Sequence, residues 1–265
     1  MEIELKDIYY KDKLYNFNYK FVQGKVTAIM GDNPSNSLIA SIIMGQVSDF
    51  YGSVLVDGLY NYDKHSFYKN IGYVSACPVN QFVCSIVKDE LIMKLKKFNY
   101  KLDKVDKVIN DVLKMVDLDV EILERKVFSL SDSEIIKISL AMSLILNPKV
   151  LLLDNVTIYM DYEMKQKFLS LFKKLRDRYN KTIIIISNDI QFLSCIVDNY
   201  LIVDKGLVKE SGMFKDFVFE QKRLNKYGIN MPAKYKFIDI MSKYKKINKK
   251  DINSIDDLVE VICCE

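Results

Sequence analysis

From Glu2 to Tyr10, and again from Tyr15 to Val22, apolar and polar residues trade places at every second position. That is the period of strands with one buried face, and it predicts an antiparallel pair. Lys25-Val-Thr-Ala-Ile-Met30 reads as a short buried strand running into Gly31, and Ser37 to Met44 as a buried helix that stops at Gly45. Gly52 to Gly58 and Ile71 to Val74 follow as further strands. Between about 85 and 146 the period lengthens. Val105, Val108, Ile109, Val112, Leu113 and Val116 recur at helical steps among lysines, which predicts a helical insert. Strand and helix alternation then resumes with Lys149–Asp154, a helix from Tyr162 to Tyr179, and Lys181–Ser187. The runs Val150–Leu153 and Ile183–Ile186 are apolar throughout, as in parallel strands covered on both faces. From about 214 the chain is rich in lysine and predicted helical on either side of Gly228 and Pro232. The expected fold class is α/β: a mixed-sheet core with an antiparallel β subdomain and a helical subdomain at about 85–146. The expected division is one domain over 1–213 and a helical extension over 214–265.

At 265 residues and 49% hydrophobic, one large domain can bury an ample core, and disorder is excluded for most of the chain. The 39 basic residues stand against 35 acidic ones and are spread along the sequence, so no nucleic-acid partner is expected. Arginines occur only at 125, 176, 178 and 223, which leaves few forks for bidentate phosphate clamps. The one histidine, His65, excludes any mechanism that needs two, and reads as a surface residue. The five cysteines carry no C-x-x-C spacing and read as the reduced thiols of a cytoplasmic protein. The charged amino terminus does not read as a signal peptide, and no apolar run approaches the ~20 residues of a membrane helix. Work at a membrane would therefore go through a partner.

A buried strand, a glycine, a polar loop and a helix form the layout of a phosphate-binding P-loop, G-x-x-x-x-G-K-[ST]. In Gly31-Asp-Asn-Pro-Ser-Asn-Ser-Leu38 only the first glycine survives. Read without a gap, Asn36 replaces the second glycine, Ser37 the lysine and Leu38 the magnesium-binding hydroxyl. Ser37 cannot supply the point charge of that lysine, and Pro34 removes a backbone donor. Asn33 and Ser35 complete the vestigial loop, with Asp32 adding negative charge.

Further segments resemble the ABC-transporter ATPase family in the family's order. Phe128-Ser-Leu-Ser-Asp-Ser-Glu134 stands where the signature loop belongs, and Leu146–Asp154 resembles the Walker B strand. Asp161 fits the D-loop aspartate, and Ile186-Ser-Asn-Asp189 the switch-histidine segment. Ile71–Gln81 with Ile86–Leu91 is similar to the Q-loop region of the energy-coupling factor (ECF) ATPases, and 212–219, 227–232 and 255–260 resemble their C-terminal extension. The resemblance implies a P-loop NTPase-like fold, Mg-ATP as cofactor, and association with a second ATPase subunit through the extension. It also implies a transmembrane coupling protein that would hold the chain on the inner face of the cell membrane, for uptake of vitamins or metal ions.

The same resemblance exposes what is absent. ATP hydrolysis needs a lysine and magnesium on the phosphates, a carboxylate at the water and a histidine at the γ-phosphate. The catalytic glutamate is Asn155, the switch histidine Asn188 and the Q-loop glutamine Ala76. Asp154 remains, either as a former metal ligand or as the cap of the next turn. Ser37 is either a phosphate contact or a helix N-cap, and Tyr10 either an adenine-stacking aromatic or a core or surface residue. Ser131 keeps a hydroxyl for a partner's γ-phosphate, but Asp132 and Glu134 bring carboxylates close to it. The expected function is a catalytically silent ATP-binding subunit of an ECF-type importer, with weak or absent nucleotide binding. The alternatives are a weakly active subunit, or a regulatory or scaffold protein outside transport.

Overall fold

A computed structural model describes residues 1–31, 33–60, 63–100 and 104–245. The antiparallel pair forms as β1 (Ile3–Tyr10) and β2 (Leu14–Phe21), with β4 (Tyr51–Val56) on the other edge of β1. The second sheet has the order β5-β6-β7-β3-β8-β9, built from β3 (Val26–Gly31), β5 (Ile71–Val74), β6 (Val150–Asp154), β7 (Thr182–Ile186), β8 (Asn199–Asp204) and β9 (Leu207–Met213). All its neighbours are parallel except the β8–β9 hairpin.

The uniform apolar runs are explained by the two faces of this sheet. Leu151, Leu153, Ile183 and Ile185 join one core, while Val150, Leu152, Ile184 and Ile186 join the other. The first core is closed by α3 (Val87–Lys97), α4 (Val105–Met115), α5 (Asp132–Leu144) and α6 (Tyr162–Tyr179). The second is closed by the antiparallel sheet, by α1 (Asn33–Ile43) and by Phe67 of α2 (Lys64–Lys69). The chain then adds α7 (Ile190–Leu193), α8 (Phe214–Phe217), α9 (Gln221–Lys226) and α10 (Ala233–Lys245). Phe214, Phe217, Leu224, Ile229, Tyr235 and Ile238 of this region are buried in the first core, so the described part of 214–265 packs on the sheet domain's own interior. The segment 255–260 and Cys263 and Cys264 lie outside the described residues.

One expected element is corrected. The helix predicted to begin at Ser37 begins at Asn33, so four residues assigned to the loop belong to its first turn. Pro34 explains the difference: its ring presets a helical φ, and its missing N–H falls where a helix has no internal acceptor for it.

Candidate functional site

Strands β3, β6 and β7 are parallel neighbours in the centre of the sheet, so their carboxyl ends bring Gly31, Asp154 and the 187–189 turn to one edge. Open α/β sheets place ligand sites at this edge. The structure thereby gathers Gly31, Ser35, Asn36, Ser37, Leu38, Asp154, Asn155 and Asn188, which the sequence separates by up to 157 positions. Asp32 and the side chain of Asn33 lie outside what is described.

Most of the gathered polar residues bond within the protein. Gly31 has φ +102°, and a Cβ there would come 2.1 Å from the Val203 carbonyl oxygen of β8, so close strand packing alone demands glycine. Both backbone groups of Gly31 are engaged by one side chain: its N–H donates to Asn188 Oδ1 at 2.8 Å, and Asn188 Nδ2 donates to its carbonyl at 3.0 Å. Asn188 therefore staples the end of β3 to the turn after β7. Asn188 lies next to Asp189, which pairs with Lys165 at 2.7 Å.

Ser37 is neither an N-cap nor at the mouth of the loop. It is the fifth residue of α1, and its hydroxyl donates to Asp154 Oδ1 at 3.1 Å. The N-cap reading is corrected, because the early helix start carries Ser37 one turn inward. Asn155, left-handed at φ 52°, turns its Nδ2 onto the same Asp154 oxygen at 2.9 Å. The backbone N–H of Ala76 also bonds the carboxylate, and the Ala76 carbonyl accepts from the Tyr159 hydroxyl at 2.8 Å. Asp154 is 1% exposed. Burial pushes its carboxyl above the usual carboxylate range, and these three donors pull against that rise.

Asn36 is the outlier. It is 0% exposed, and neither Oδ1 nor Nδ2 has a hydrogen-bond partner in the protein. A buried amide in that condition costs about 1–3 kcal/mol. Pro34 lacks an N–H, and Leu38 has no hydroxyl to offer a metal. Among the described residues no cluster of three His, Cys, Asp or Glu side chains is placed to hold a metal ion. The residues of this edge do not fit a magnesium triphosphate. The expected loop is helix, no cation stands at 36–38, and the oxygen a metal would take on Asp154 accepts from Ser37 and Asn155.

The signature segment is likewise closed on itself. Ser131 is the N-cap of α5: its Oγ accepts from the Glu134 N–H at 3.3 Å, while Glu134 Oε2 accepts from the Ser131 N–H at 2.8 Å. Arg125 pairs with the other oxygen of Glu134. The Ser131 N–H, followed by the hydroxyl and the guanidinium, holds the Glu134 carboxyl below its ordinary range. The S-x-x-E spacing is itself the sequence signal for this capping box. Asp161 caps α6 through the Met164 N–H at 2.8 Å. Tyr10 is half-buried, with the Lys11 ammonium 4.8 Å from its ring centroid, and His65 is exposed. Sequence reasoning missed the Ser37–Asp154 bond and the Asn188–Gly31 staple, since no local pattern encodes contacts of that separation.

A family model described as ABC transporter matches residues 14–158. An energy-coupling factor transporter ATP-binding protein, EcfA1, of Mycoplasmopsis synoviae is 28% identical over 258 residues, covering 94% of this chain and 92% of the relative. The EcfA2 protein of Bacillus subtilis is 25% identical over 234 residues, 84% of each chain. Among solved structures, cbiO1 from Clostridium perfringens, part of the ABC transporter complex cbiONQ, is similar at TM-score 0.70 and 24% identity over 87% of this chain and 95% of its own. A dimeric ATP-binding cassette in a post-hydrolysis state with ADP and Pi gives TM-score 0.70 and 22% identity, over 80% of this chain and 98% of its own. At these identities the solved structures establish the likeness of fold.

Proposed function

Because this chain belongs to the ABC transporter family, we propose that it is an ECF-type ATP-binding subunit that has lost its own catalysis and pairs with an active ATPase subunit beneath a transmembrane coupling protein. The similarity to ECF ATP-binding proteins along most of the chain supports the assignment to that subgroup. No described helix is long and apolar enough to cross a membrane, so contact with the membrane goes through the coupling protein.

The observation that carries the silent reading is the start of α1 at Asn33, with buried Asn36 and then Ser37 where a P-loop offers a glycine and a cation. Without the lysine, the glutamate and the histidine, the edge has no charge to stabilise a transferring phosphoryl group and no base for water. Asn155 and Asn188 instead supply amides that hold Asp154 and Gly31. Nucleotide binding is weak for the same reason, and the subunit serves the complex as a partner surface. The regions after about 214 carry the association.

Steady-state turnover of MgATP by the purified chain, read beside Asp154→Ala, tests this. The expected rate equals background for both proteins; turnover that disappears with Asp154→Ala refutes silence. Calorimetry tests binding at the edge, where micromolar affinity for MgATP that is lost with Asp154→Ala contradicts the reading. Affinity capture with a chain ending at 213 tests association: a second ATPase subunit still held by the shortened chain contradicts the role of the extension.

A further inference from the structure

A cleft of about 740 Å³ borders Gly31. It is lined by Gly31, Asp204, Lys205, Lys209, Lys226 and Tyr227. The three lysines come from separate places: the β8–β9 turn, strand β9 and the end of α9. Among the described residues none of the three is ion-paired. Glu210, the neighbouring acid on β9, is engaged by Arg223, by the Tyr200 hydroxyl at 2.7 Å and by the Tyr227 hydroxyl at 3.2 Å. That network also fixes the Tyr227 ring, over which the Lys226 ammonium sits at 5.2 Å.

Among the described lining residues Asp204 offsets one of the lysines, which leaves an excess of two positive charges in a concave space of small-molecule size. Like charges gathered in one cleft repel, and a multiply charged anion removes that repulsion. Lysine ammoniums act as point charges suited to phosphate oxygens, and no arginine fork is present to select a planar carboxylate. Tyr227 adds an apolar, fixed face beside them.

We propose that this cleft binds a soluble small molecule bearing an oligophosphate group, held by Lys205, Lys209 and Lys226. The cleft shares Gly31 with the edge between α1 and β6, but its cations belong to the β8–β9 hairpin and α9. Its test needs no turnover measurement, so its failure is distinct from that of the silent-subunit reading.

Titration calorimetry of the full chain with inorganic tripolyphosphate tests it. Saturable binding is expected, weakening as salt is raised. It should weaken at least tenfold when Lys205, Lys209 and Lys226 are changed together to Ala, and equally when they are changed to Gln should the Ala protein fold poorly. Replacing the exposed Lys107, Lys114 and Lys174 by Ala removes the same charge elsewhere and should leave binding intact. Absence of saturable binding, equal loss in both sets, or retained binding in the cleft variants overturns the proposal. Sedimentation with phosphatidylglycerol-containing vesicles separates the sources: vesicle binding that needs the three lysines, without tripolyphosphate binding, overturns it in favour of a lipid headgroup.

Discussion

The amino termini of α1 and α5 are two helix starts with different outcomes. A helix start exposes unpaired N–H groups and a partial positive charge, which suits phosphate. At α5 the protein has supplied its own anion. Glu134 accepts from the Ser131 N–H, Ser131 accepts from the Glu134 N–H, and Arg125 balances the carboxylate. At α1 there is no acidic residue in the first turn, and the fourth residue is a buried amide with no partner. One start is complete without a ligand; the other keeps an unresolved cost in its interior. A cap needs only neighbours in sequence, whereas a buried side chain needs partners from distant elements.

The largest effect expected is at α1. Asn36→Leu removes the unpaired amide at similar volume and should raise stability by about 2 kcal/mol, several degrees in thermal midpoint by calorimetry. An unchanged or lowered midpoint would show that Asn36 is not a burden and would erase the contrast.

The opposite sign is expected at α5, where Glu134→Ala should cost about 1.5 kcal/mol in chemical denaturation. Because Glu134 is held below its ordinary range, its contribution is fully present above the unfolded value near 4.3 and is lost as pH falls through the folded value. The difference between native and Glu134→Gln proteins should therefore vanish in strong acid. A difference independent of pH would break the capping account.

The smallest effect is at Ser37. Asp154 is raised by burial, so its ionised form costs stability, and this cost appears as pH rises through its folded value. Ser37→Ala removes one donor and should cost about 1 kcal/mol at pH 7 and less at pH 4. An equal loss at both would mean that the hydroxyl does not act on the carboxylate.

Much of the fold was legible because it depends on period. The apolar runs at 150–153 and 183–186 sit within strands covered on both faces, and the helix expected from Tyr162 to Tyr179 is α6. α1 starts four residues before the hydrophobic pattern places it, because the preference of Pro34 for a first helical turn outweighs the loop-like composition of Gly31 to Ser37. At the site, the substitutions at 36, 155 and 188 were legible as losses. What those amides do was not, since Asn188 meets Gly31 only through the β3–β7 pairing and Asn155 meets Asp154 only in its left-handed turn.

Residue identity and spacing by themselves determined the layered α/β plan and the absence of lysine, glutamate and histidine from their expected places. A period is a local property, and a missing charge stays missing in any fold. The tertiary structure decided the rest: that Asn188 binds both backbone groups of Gly31, that Ser37 faces Asp154, and that three dispersed lysines share a cleft with Gly31. Hydrogen bonds and charge clusters depend on distance in space, and a parallel sheet brings together at one edge residues that the chain holds far apart.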